Sequence, residues 1–234
     1  MYPEILELNR PFPPPHKALA EPNGLLAIGA DLSPQRLISA YQSGIFPWFS
    51  DDQPVLWWSP DPRIGLALKS HHISKSMRKL IRKTQLTVSL NMAFEQVIQL
   101  CSATRANETW INQDMIAAYS KLHKLGHAHS VEVWQGQHLV GGLYGVAVGQ
   151  VFCGESMFHL VSNASKLAFH LFCLHFKNCG GVFIDGQVEN PHLLSLGMQP
   201  LPRQEFLALL QQAKDAPVSA NCWQVQRLKP CDYL

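Results

Sequence analysis

The chain has 234 residues and a mass of 26.2 kDa, room for one large domain or two modest ones, since single cores divide above ~250 residues. Hydrophobic residues make up 47%, enough for a filled interior. The formal charge of +2, from 19 basic and 17 acidic residues, is too small to imply nucleic-acid binding by itself and leaves only local clustering to argue for it.

Residues 1–23 are proline-punctuated and expected to be extended, ending at the Asn23-Gly24 turn signal. Their early acids differ from the basic start and apolar core of a secretion signal, and no apolar run in the chain approaches the ~18 residues that cross a bilayer. A cytosolic protein with no membrane association is expected. A short helix follows, with Ser33 as N-cap, Pro34 in the first helical position and Gly44 placed to stop it. The next stretches, IFPWFS and VLWWSPDPR, crowd aromatic residues between prolines, which leaves little room for regular structure.

Between residues 62 and 94 no acidic residue occurs, while basic residues accumulate. Lys75, Arg78, Lys79, Arg82 and Lys83 keep the three-and-four spacing of one helical face, and Ile73, Met77, Leu80 and Ile81 fall opposite. A solvated surface helix normally interleaves both signs, so this face points to a phosphate backbone, with a membrane surface as second choice. Two further helices are expected, one capped by Asn91 and one capped by Asn112 and ended by Gly126. Trp110 lies at the loop-to-helix junction between them.

The period then changes. SVEVW alternates as a half-exposed strand, and LVGGLYGVAVGQVFCGESMF reads as two buried strands joined at Gly149-Gln150. Glycines repeated inside these strands suggest bulging or close backbone approach. A helix over 164–178 ends at Gly180-Gly181, before a short strand that delivers Asp185 and Gln187 on one face. A last helix covers 205–212. The pattern predicts an α+β fold, with a helical, basic N-terminal part over 1–104 and a sheet-bearing part over 105–234.

Several chemistries lack their motifs. His127, His129, His71 and His72 offer imidazoles without a third ligand at a metal-site spacing, so no metal is expected. The six cysteines form no C-x-x-C pair and read as reduced structural thiols. There is no G-x-S-x-G elbow and no glycine-rich phosphate loop, which argues against covalent catalysis and against a nucleotide or coenzyme A cofactor. What remains is Asp185 with Gln187 at a strand end, and Glu155, Asn190, Trp48, Trp110, Tyr41 and Tyr119. Taken singly, each has an ordinary reading: Asp as a loop cap, Trp as a core residue.

Together, EPNGLLAIGADLSP, YQSGIFPWFS, LWWSPDPR, ETWIN, GHAHSVEVW, LVGGLYGVA, FCGESMF, NASK and IDGQVEN resemble the leucyl/phenylalanyl-tRNA–protein transferase family. The resemblance implies transfer of Leu or Phe from Leu-tRNA or Phe-tRNA to the N-terminal Arg or Lys of acceptor proteins, marking them for degradation. It also implies a C-terminal domain like the GCN5-type acetyltransferases beside a smaller N-terminal domain, acting as a monomer without cofactor. An aminoacyl ester is already activated, so such an enzyme chiefly orients it and accepts a proton from the attacking amine.

By that resemblance Gln187 accepts a hydrogen bond from the amine and Asp185 steadies it. Trp48 and Trp110 sandwich the terminal adenine, while Tyr41, Tyr119, Glu155 and Asn190 hold the aminoacyl-adenosine or the acceptor. Leu143, Phe152, Phe169, Phe172, Phe176 and Ile184 line the amino-acid pocket, and Lys75, Arg78, Lys79, Arg82 and Lys83 meet the acceptor stem. Gly186, Leu143 and Pro191 depart from the residues expected there, and Leu143 with bulky Phe169 is expected to tilt preference away from Phe. Two other readings are a peptidoglycan-type tRNA-dependent aminoacyl transferase, for whose duplicated domain the length leaves no room, and a non-catalytic tRNA-binding module.

Overall fold

A computed structural model describes residues 2–8, 10–104 and 110–229. In chain order the elements are β1 (Glu4–Leu6), β2 (Leu25–Gly29), α1 (Pro34–Gln42), β3 (Phe46–Pro47), β4 (Leu56–Trp58), β5 (Arg63–Ala67), α2 (Lys75–Lys83) and β6 (Thr87–Leu90). There follow α3 (Phe94–Ala103), α4 (Gln113–Lys124), β7 (Ala128–Gln135), β8 (His138–Val148), β9 (Val151–His159), α5 (Ala164–Asn178), β10 (Phe183–Gln187), α6 (Pro191–Ser195), β11 (Gln199–Leu201), α7 (Arg203–Ala213) and β12 (Gln226–Leu228). The result is a mixed α/β chain with a small N-terminal sheet and a larger one.

The small sheet has four strands in the order β1-β2-β4-β3, and the large one eight in the order β11-β5-β10-β9-β8-β7-β6-β12. The aromatic segment expected to be irregular thus forms β3 and β4, because Phe46 and Pro47 pair with Trp58 and Trp57 at the sheet's edge, where a proline costs no ladder bond. The larger sheet takes in β5 and β6, which precede residue 104. The sheets therefore change over between Trp58 and Arg63, and the division expected at 104–105 falls within the larger sheet's span; Arg105 itself lies outside the described residues.

Local signals act as expected in several places. Ser33 accepts from the Arg36 amide and Asn112 from the Met115 amide, each capping its helix. Asn91 does not cap α3, which starts after Ala93 with no side-chain cap. Instead Asn91 has a φ of 59°, accepts from the Ser130 amide and donates to the Trp223 carbonyl. Its amide stitches β7 to the C-terminal segment, and a residue so engaged cannot also serve a helix start.

Alternation along the large sheet divides the core. On β9, Val151 and Cys153 join the cluster of α1, α3 and α4, while Phe152 between them joins the cluster built on α5. The sheet is thus covered on both faces. Strand β9 pairs in parallel with β10, with α5 as the crossover, and the recorded pairs are Val151, Phe152 and Cys153 with Phe183, Ile184 and Asp185.

Candidate active site

Beyond the Cys153 and Asp185 pair, β9 and β10 part, and a cavity of about 710 Å³ opens with Gly154 to Met157 on one side and Gly186 to Val188 on the other. Both strands carry a β-bulge there. On β9, Ser156 pairs with Tyr144 and Gly154 with Gly145, so Glu155 is the extra residue. A Cβ at Gly145 would stand 2.2 Å from the Cys153 carbonyl oxygen, so the backbones meet at a distance only glycine permits. On β10, Asp185 pairs with Gly65 and Gln187 with Ile64, so Gly186 is skipped. Bulges re-aim side chains beside functional sites, and here they turn Glu155 and Gln187 toward each other.

The two side chains meet directly: the Gln187 amide Nε2 donates to Glu155 Oε1 at 2.6 Å. That use of its nitrogen leaves the Gln187 amide oxygen as the acceptor of the pair. Tyr41 OH donates to Glu155 Oε1 at 2.7 Å and Tyr119 OH to Oε2 at 3.1 Å, and the two hydroxyls also touch each other. Burial raises the Glu155 pKa to about 7, and the hydrogen bonds from Tyr41, Gln187 and Tyr119 work in the opposite direction. The same burial holds both tyrosine hydroxyls well above their ordinary range, so they stay protonated donors.

Gln187 is held in a left-handed backbone conformation with φ of 65°, which a non-glycine residue adopts only when its surroundings enforce it. Asp185 Oδ1 supplies that enforcement by accepting from the Gln187 amide at 2.9 Å. Asp185 is in turn gripped by Arg63, whose Nε and Nη2 reach its two oxygens at 2.8 and 2.7 Å. This is a bidentate pair with both partners almost fully buried, at 1% and 0% side-chain exposure. Burial works against the charged guanidinium, and the Asp185 charge more than offsets it, so the Arg63 pKa stands above its ordinary value. Arg63 also donates to the Gly44 carbonyl at 3.1 Å and lies between the rings of Phe46 and Phe206.

Trp48, Trp110, Glu155, Gln187 and Asn190 all line the cavity, together with Leu143, Phe152, Phe169, Phe172 and Ile184. Asp185 does not: its side chain is sealed behind Gln187 and acts through the backbone. Tyr41 and Tyr119 are also fully buried behind Glu155, away from the wall, because their hydroxyls are spent on its carboxylate. Phe176 is a second layer, stacked on Phe172 with centroids 5.5 Å apart. Asn190 caps α6 through its Oδ1, which accepts from the Leu193 amide.

Sequence reasoning missed Arg63, Met157, Met198 and His192. Arg63 stood in the quoted WWSPDPR stretch, but its partner lies 122 residues on, beyond any spacing rule. The histidines singled out in the sequence do not converge. His129 stacks on Trp223 with centroids 3.9 Å apart, and His71 shares a hydrogen bond with His170 at 2.9 Å.

All five basic residues of α2 are exposed, with Met77 and Ile81 buried beneath, as the spacing predicts. Among the described residues no ion pair neutralises them.

The family model described as leucyl/phenylalanyl-tRNA protein transferase matches residues 66–211, and the model of that family's N-terminal domain matches residues 30–61. Leucyl/phenylalanyl-tRNA–protein transferase of Shewanella denitrificans is 53% identical over 93% of this chain and 94% of its own. That of Edwardsiella ictaluri is 54% identical over 96% and 94%. Among solved structures, a functionally unknown conserved protein from Staphylococcus epidermidis aligns with 60% of this chain and 57% of its own, at a TM-score of 0.41 and 12% identity.

Proposed function

The chain belongs to the leucyl/phenylalanyl-tRNA–protein transferase family, and from that premise we propose how its cavity moves an aminoacyl group from tRNA to a protein N-terminus. Trp48 and Trp110 take the terminal adenosine by stacking, for which an aromatic ring contributes ~1 to 3 kcal/mol per base. The Leu or Phe side chain enters the apolar end of the cavity, among Leu143, Phe152, Phe169, Phe172 and Ile184. The acceptor's α-amine donates a hydrogen bond to the Gln187 amide oxygen and attacks the ester carbonyl carbon. A C–N bond forms, the C–O bond to the ribose breaks, and the amine's proton passes to the leaving hydroxyl.

Glu155 orients the Gln187 amide so that its oxygen faces the amine, and Asp185 with Arg63 fixes the backbone from which that amide projects. The reaction needs no nucleophile from the protein because the ester is activated already; alignment of the two reactants carries most of the acceleration. Glu189 at the rim suits an acceptor whose first side chain is the cation of Arg or Lys, which marks that protein for degradation. The basic face of α2 meets the acceptor stem through phosphates. The parted parallel strands suit a GCN5-type acetyltransferase-like fold. Self-sufficiency of the cavity within one chain suits a cytoplasmic monomer, and no helix among the described residues is long and apolar enough to cross a membrane.

The observation that carries this reading is that Gln187 and both indoles line one cavity with an apolar end. Its test is transfer of labelled Leu from tRNA to a peptide beginning with Arg, beside one beginning with Ala, with Gln187→Ala as the comparison protein. Transfer to the Arg peptide alone, lost in Gln187→Ala while tRNA binding persists, is the expected result. Equal transfer to both peptides, or full activity in Gln187→Ala, would refute it. Running Leu-tRNA beside Phe-tRNA also tests the expected tilt toward Leu, which equal use would remove.

A further inference from the structure

Behind the amino-acid pocket lies a cluster that the reaction does not use. His175 and Cys179 stand one turn apart at the end of α5, and Cys222 comes to them from the C-terminal segment. Their ligand atoms, one imidazole nitrogen and two sulfurs, all lie within 4.8 Å of one another, and His175 Nε2 is 3.7 Å from Cys179 Sγ. A tetrahedral zinc ion, with Zn–S of ~2.3 Å and Zn–N of ~2.0 Å, sets its donors roughly 3.5 to 3.8 Å apart. The His175 to Cys179 separation already falls in that range, and the other two need close by no more than about 1 Å. None of the three residues lines the reaction cavity.

We propose that His175, Cys179 and Cys222 bind a thiophilic divalent ion of the zinc class, which staples the C-terminal segment to the end of α5. The backbone is organised for it: the Ser219 amide donates to the Cys179 carbonyl at 2.8 Å and the Cys222 amide to the Ser219 carbonyl at 2.9 Å, so the loop is tied to its own second ligand. His175 Nε2 donates to the Cys222 carbonyl at 2.8 Å without the ion; on binding, that nitrogen's proton moves to Nδ1 and its lone pair goes to the metal. Burial keeps the imidazole neutral, which a ligand must be. Burial also raises both thiols, so each sulfur loses a proton as the ion enters and two protons are released per ion bound. Cys179 is the less buried of the two sulfur donors, and three protein donors leave the fourth position to water.

The staple would act on the pocket through Trp223. Its ring, one residue after Cys222, packs against Phe152, Phe172 and Phe176 with centroids 5.9, 6.1 and 5.3 Å away. The first two of these form the pocket wall.

The test is titration of the full, reduced chain with Co2+, read by thiolate-to-cobalt charge transfer in the near ultraviolet and by the visible bands of a four-coordinate ion. One equivalent should bind, be displaced by Zn2+, and shield two thiols from a thiol reagent. Cys222→Ser and Cys179→Ser should abolish the charge-transfer band, and His175→Gln should weaken binding by about tenfold or more, since even outer-shell losses cost that much. Cys101→Ser should leave it unchanged. If Cys222→Ser fails to fold, Cys179→Ser, at the less buried of the two sulfurs, keeps the question decidable. No band from the reduced wild-type chain, a band that survives in Cys179→Ser, or thiol shielding that follows only from a Cys179 to Cys222 disulfide overturns the proposal.

Discussion

Glu155 is the residue whose ionisation the site exposes to measurement. As a carboxylate it receives the Gln187 amide, whereas a protonated carboxyl offers a competing donor. Transfer should therefore fall on the acid side with a midpoint near 7, the value to which burial raises this group. Glu155→Gln should flatten that limb in a pH profile of kcat/KM, at reduced activity. The sign for stability is opposite to that of most carboxylates. The folded pKa lies above the ordinary 4.5, so the group's stabilising contribution is fully present below that value and is lost as pH rises to about 7. A shift of this size corresponds to on the order of 3 kcal/mol. Thermal melts should accordingly show Glu155→Gln gaining on the wild type across that window and holding its lead above it. Arg63 presents the reverse case, a buried charge whose partner must not be lost. Arg63→Ala should cost about 3 to 5 kcal/mol in denaturant unfolding, since it strands Asp185 in the core. Removing the exposed pair of Lys124 and Glu95 should cost less than about 1 kcal/mol.

Elements differ in how far their own sequence determines them. Helix α2 carries its five cations toward solvent over Met77 and Ile81, and its spacing announced this in advance. Replacing Lys75, Arg78, Lys79 and Arg82 by Ala should leave the melting temperature nearly unchanged while weakening tRNA binding and flattening its dependence on salt, as filter binding at several ionic strengths would show. The β8–β9 hairpin is legible too, because Gly149 supplies the turn and the apolar alternation supplies both strands. Its bulge is not. The glycine-rich run signals that bulging occurs somewhere, but only the pairing of Tyr144 with Ser156 and Gly145 with Gly154 reveals that Glu155 is the extra residue. Gly145→Ala should push the strands apart, with a cost of about 1 to 3 kcal/mol of overpacking and a loss of transfer larger than the loss of fold. Asn91 shows the opposite failure: a good cap by residue type, it is claimed by tertiary bonds that no local pattern contains.

On the scale of the whole molecule, the residues that sequence reasoning gathered are mostly in one place, yet the reasons they are there are long-range. Arg63 couples the two parts of the site: one guanidinium fixes Asp185 behind Gln187 and also holds the Gly44 carbonyl next to the strand that ends before Trp48. Trp57 joins the small sheet internally through its indole, which donates to the Gly29 carbonyl at 2.8 Å. Part of the pocket's backing, beside Phe176, comes from a tail whose sequence carried no motif, and Trp223→Ala should loosen it. The expected outcome is a larger KM for aminoacyl-tRNA and weaker discrimination against smaller side chains, measured with Leu-tRNA beside Val-tRNA, with kcat less affected.

That late-placed indole has a consequence for how the molecule comes into being. Phe152 and Phe172 are synthesised well before Trp223, and β6 waits for β12 to cover its outer edge. The cavity wall is thus made before the ring that backs it, and Trp223 can pack only against residues already synthesised.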